Sequence, residues 1–105
     1  MEKLRLIVMA TVPQETRHER KVARQFGNAL FKMGFSLLQD GVYTRVVDGR
    51  SSAASFERKL SACCPECGMV RLFVMTERQF GEAVLLTANE SSQETEVGSQ
   101  LDIFL

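Results

Sequence analysis

The nine residues Leu4-Arg-Leu-Ile-Val-Met-Ala-Thr-Val12 constrain the fold more than any other part of the chain. Nearly every position is apolar, the pattern of a strand covered on both of its faces. The run is too short to cross a bilayer and is interrupted by Arg5, so it predicts a buried strand and no membrane segment. Pro13 ends it. Around such a strand a chain of 105 residues can build one modest domain, and a composition of 45% apolar and 25% charged residues is that of an ordinary globular protein.

The following elements are marked by their own signals. Thr16-Arg-His-Glu19 has the spacing of a capping box, in which a hydroxyl and a carboxylate exchange hydrogen bonds with the first helical turn. Val22, Ala23, Phe26, Ala29, Leu30 and Met33 then share one side at helical spacing, and Gly34 supplies a stop. A helix is predicted over about 17–33. Phe35–Leu38 and Val42–Val47 are strand candidates joined through Asp40-Gly41, a pair that favours tight turns.

Asp48-Gly49-Arg50 forms the next predicted turn, and a second helix is expected from near Ser52. It carries Ala53, Phe56, Leu60 and Cys63 inward, with Glu57, Arg58 and Lys59 outward, and Pro65 ends it. Met69–Met75 is a further strand, Thr76–Gly81 a connection, and Ala83–Thr87 an extra short strand. The order strand, helix, strand, strand, helix, strand is the split ferredoxin-like α+β arrangement, βαββαβ, here with additional C-terminal strands. The expected organisation is a domain over 1–88, then an acidic tether and an apolar strand, Leu101–Leu105, over 89–105. Helices on one sheet face leave Phe73 and Met75 bare on the other, so a homodimer with packed sheets is expected.

Formal net charge is zero, yet residues 1–50 hold nine Lys or Arg against five acids, and 51–105 hold four against eight. Within the first helix Arg17, Lys21, Arg24 and Asn28 fall on one stripe opposite the apolar face, flanked by Arg20, Gln25 and Lys32. Three cysteines do not make a disulfide framework, and no signal-peptide pattern opens the chain, which points to a reducing cytoplasm. Cys64-Pro-Glu-Cys67-Gly68 is one zinc-ribbon knuckle without a second, and His18 has no partner spacing, so a turn with incidental cysteines is the expected reading. Ser51, Ser52 and Ser55 lack a His-Asp constellation and suit helix capping.

Four stretches in register carry a resemblance: Leu6–Met9 with Pro13–Thr16, Met33–Phe35 leading to Leu38-Gln39 and Val42–Arg45, Gly68–Leu72, and Thr76–Phe80. Over roughly residues 4–88 the chain resembles the CRISPR-associated Cas-two family of type II systems. That resemblance implies a ferredoxin-like homodimer with terminal strands added to the paired sheets. The dimer sits between two dimers of the CRISPR integrase, and together they capture a short prespacer DNA duplex and insert it into the array.

The resemblance also implies an alternative, a metal-dependent endonuclease acting on single-stranded RNA or double-stranded DNA. In that account an Asp at the end of the first strand and its symmetry mate hold a magnesium ion. This chain has Ala10 and Thr11 where the family has an aromatic residue and that Asp, and a threonine hydroxyl brings no charge. The expectation is a catalytically silent adaptor without a metal or cofactor. Its DNA contacts are expected at Arg17, Arg20, Lys21, Arg24 and Arg78, with Arg45 and Arg71 held in reserve.

Overall fold

The computed structural model describes residues 2–88. Its elements are β1 (Lys3–Thr11), α1 (Arg17–Lys32), β2 (Ser36–Gln39), β3 (Val42–Asp48), α2 (Gly49–Cys63), β4 (Met69–Thr76) and α3 (Glu77–Gly81). The four strands form one antiparallel sheet in the order β2-β3-β1-β4. This is the ferredoxin-like α+β fold, with the most apolar strand in an inner position, where two neighbours satisfy its backbone.

Alternation along β1 divides the side chains between the two faces. Leu4, Leu6 and Val8 meet Phe26 and Leu30 of α1 and Ala53, Phe56 and Leu60 of α2, and these make the buried core. Phe35, between α1 and β2, joins them with its ring edge-on to Phe56. The other β1 residues, from Arg5 to Thr11, share the opposite face with Val42, Thr44 and Val46 of β3 and Met69, Arg71, Phe73 and Met75 of β4.

The capping box at Thr16 forms as its spacing predicts. Glu19 N donates to Thr16 Oγ1 and Thr16 N donates to Glu19 Oε1, each at 3.0 Å. The second helix starts earlier than expected, at Gly49 and not near Ser52. Gly49 has a φ of +84°, so the chain turns and begins to coil on the same residue. Asp48 stands at the cap position but makes no capping bond, because its carboxylate is engaged by the Lys3 ammonium.

Two other expectations are corrected. Thr76–Gly81 is more than a connection: α3 begins on a second capping box, Thr76 with Gln79. It packs on the face away from α1 and α2 and covers part of it, so that Met75 is half-buried, whereas Phe73 stays exposed. Ala83–Thr87 is not a strand, since no described strand lies beside it to complete its hydrogen bonds. The proposed apolar strand Leu101–Leu105, and the tether before it, lie outside the described residues.

Candidate nucleic-acid interface and the end of the first strand

Helix α1 buries Phe26, Gly27 and Leu30 and turns Arg17, Lys21 and Arg24 to solvent. The three cations lie one above another at helical spacing, exposed, and make no ion pair among the described residues. Arg20 beside them has a second task. Its Nη1 donates to the carbonyl oxygens of Gln14 and Glu15, at 3.1 and 3.2 Å, strapping the β1–α1 loop to the helix. The structure therefore groups Arg17, Lys21 and Arg24 as a free stripe, with Arg20 at its margin.

Arg78 is not part of that group. It lies on α3, across the sheet from α1. Arg45 serves the fold: its Nε donates to the Met33 carbonyl at 2.9 Å at the end of α1, and its guanidinium covers the Phe56 ring. Arg71 is exposed on the open sheet face, opposite Met9.

Thr11 ends β1 opposite Met69. Its same-face neighbours are Met9, Met69 and Arg71, which are apolar or cationic. Divalent magnesium needs anionic oxygens to offset its dehydration, and this donor set does not supply them. The β2–β3 turn brings the exposed Asp40 to this end of the sheet, since the adjacent Gly41 carbonyl accepts from Ala10 N at 2.8 Å. Among the described residues no three His, Cys, Asp or Glu side chains converge as metal ligands.

The knuckle has one contact that spacing alone could not reveal. His18 Nε2 lies 3.1 Å from Glu66 Oε2, which sits between Cys64 and Cys67. The β1–α1 and α2–β4 loops share one end of the fold, and sequence separation hid this. Cys64 is exposed beside a groove of about 330 Å³ between α2 and β4, and Cys67 is half-buried. Burial pushes the Cys63 thiol above its ordinary range.

Two carboxylates are held below their ordinary range, Glu77 chiefly by its hydrogen bond from Arg5 and Asp48 by its hydrogen bond from Lys3. A depressed carboxylate stabilises the fold above its unfolded pKa, and that contribution disappears as pH falls through the lower folded value. Both contributions are therefore complete at neutral pH.

No family model matches the chain. A CRISPR-associated endoribonuclease Cas2 of Flavobacterium psychrophilum is 31% identical over 99 residues, covering 94% of this chain and 86% of that protein. One from Ligilactobacillus salivarius is 34% identical over 79 residues, 75% of this chain and 78% of that protein. The chain belongs to the Cas2 family. A Cas2 of Campylobacter jejuni is 39% identical over 83 residues, and there the chain spans 58% of the relative's length. Membership gives a CRISPR-associated role and places the chain in a family whose members bear the name endoribonuclease. No described helix is long and apolar enough to cross a membrane.

Proposed function

We propose that this Cas2 protein is an adaptor subunit of CRISPR spacer acquisition, cytoplasmic and homodimeric, which bridges integrase dimers and holds a prespacer duplex by its backbone. The observation that carries this reading is the free stripe Arg17, Lys21 and Arg24 on a helix whose start is fixed by a capping box. Cations that pair with nothing in their own chain and repeat along a rigid surface suit phosphate contacts, which set register without reading bases. The exposed Phe73, Met69 and Met9 on the open sheet face support pairing with a second copy.

The test is copurification with a CRISPR integrase co-expressed with this protein, followed by an integration assay with and without it. Integration is expected only when both proteins are present. Equal integration by the integrase alone would remove the adaptor role.

The relatives' names raise RNA cleavage as a second activity, and Thr11 speaks against it here. Purified protein is expected to leave single-stranded RNA and double-stranded DNA intact with magnesium or manganese. Metal-dependent cleavage that persists through purification and is lost in Asp40→Asn would assign a nuclease centre to this end of the sheet and overturn the expectation.

A further inference from the structure

Arg5 is placed where a plain strand position would be expected to carry an apolar side chain. It lies in the inner strand, on the face away from α1 and α2, with a side chain only 19% exposed. Its guanidinium is occupied on several sides. Nε donates to Glu77 Oε1 at 2.8 Å, Nη2 donates to Glu77 Oε2 at 2.6 Å, and Nη1 reaches Thr44 Oγ1 at 3.4 Å. The Phe80 ring stacks over the guanidinium carbon at 4.2 Å. Thr44 is itself buried and donates to the Leu6 carbonyl.

Both Glu77 and Phe80 belong to α3, which has only five residues. A helix so short has no stability of its own, so its position comes from its cap and from whatever it packs against. The capping box of Thr76 and Gln79 fixes where it begins. Arg5 fixes where it lies. A two-pronged, partly buried Arg–carboxylate contact is directional in a way that an exposed ion pair is not.

The segment that follows has the opposite character. Val84, Leu85 and Leu86 are 76%, 80% and 68% exposed, without regular structure. Three consecutive apolar residues follow the clamped helix with most of their surface uncovered by the described residues. The outer flank of β4 is likewise without a neighbouring strand among the described residues. A second copy answers both needs at once, because a two-fold axis presents each copy's arm to the other's sheet.

We propose that Arg5, Glu77 and Phe80 form a clamp that aims the apolar arm Val84–Leu86 and so sets how tightly two copies of this chain associate. The inference rests on the homodimer reading above and adds its positioning residues. With the clamp closed, the arm leaves the sheet from a fixed point and little ordering remains for association. With the clamp open, α3 and the arm must both be ordered when the copies meet, and affinity falls by that cost.

The experiment uses the full chain, with the dimer dissociation constant measured by dilution in sedimentation and light scattering. Glu77→Gln keeps the shape of the side chain and removes its charge, Arg5→Met removes the other partner, and Leu85→Asp alters the arm alone. Glu77→Gln is expected to weaken the dimer at least tenfold and to speed hydrogen exchange in α3 while leaving the α1 amides protected. The exchanged pair Arg5→Glu with Glu77→Arg is expected to recover part of that affinity. If Leu85→Asp breaks the dimer while Glu77→Gln leaves both its affinity and the exchange of α3 unchanged, the clamp is refuted and the dimer stands. A wild-type chain that is monomeric at micromolar concentration overturns the dimer reading and the clamp with it.

Discussion

Replacing Arg17, Lys21 and Arg24 together by alanine is expected to lower duplex affinity by at least about 100-fold at about 0.15 M salt. Each phosphate neutralised by a cation releases condensed counterions, and each lost contact reduces the slope of log affinity against log salt by about 0.9. Counted for one copy of the stripe, three lost contacts reduce it by nearly three, and extrapolation from about 1 M salt, where the two proteins converge, gives the stated factor. A duplex that touches the stripe of both copies loses twice as many contacts and correspondingly more affinity. The loss is expected to be the same for any DNA sequence, because phosphates carry no base identity. The fold is expected to survive, since all three side chains are exposed on the side of α1 away from Phe26 and Leu30. A salt titration of duplex binding by the integrase complex measures the slope, with thermal melting as control. An unchanged slope in a folded variant would reduce the stripe to a solvated face.

The second large effect is on stability. Gly68 joins the α2–β4 loop to β4 with a φ of +93°, and a Cβ built there lies 2.3 Å from the Thr11 carbonyl oxygen. The left-handed backbone alone costs a non-glycine residue about 1–2 kcal/mol. The overlap adds to this, because the obstructing atom is backbone at the end of a central strand and cannot rotate aside. Gly68→Ala is therefore expected to lose at least about 2 kcal/mol, a fall in Tm of roughly 10 °C or more for a domain of this size. Gly81→Ala is the matched control, for its added Cβ meets nothing within 4 Å and its backbone is not left-handed. Equal melting of the two variants would show that the loop yields without cost.

Elements with a strong local signal were legible from the residues alone. Thr16 and Glu19 announced α1 to within a residue, and the apolar runs at Leu4 and Met69 announced β1 and β4. Helix α3 was also written locally, as Thr76 and Gln79, but five residues show no apolar periodicity by which to notice it. Ala83–Thr87 misled for the opposite reason. Its composition suits a strand, yet a strand exists only beside another, and that is a property of the neighbourhood.

The site divides in the same way. Arg17, Lys21 and Arg24 follow from helical spacing, so their common surface was readable. That Arg45 supports α1 and covers Phe56, that Arg5 grips Glu77, and that His18 meets Glu66 are contacts between residues 11 or more positions apart, and spacing carries no trace of them. Thr11 was informative through its chemistry, since an uncharged hydroxyl cannot hold a divalent ion as a carboxylate does, wherever the position lies.

The two borders of the sheet differ in a way that bears on how freshly made chains behave. Strand β2 is four residues long and its register slips between Leu37 and Gln39, so it is a poor template for further pairing. Strand β4 is eight residues long and holds an unbroken register with β1, and Arg71 is its single charge. Until that border is closed, it can recruit extended apolar segments from any neighbouring chain, and each addition exposes another border of the same kind. Arg71 is the one gatekeeper against such fibrous growth. The colloidal fate of the nascent protein is then a race between a closed, self-limiting union and an open-ended one, with concentration and ionic strength setting the odds.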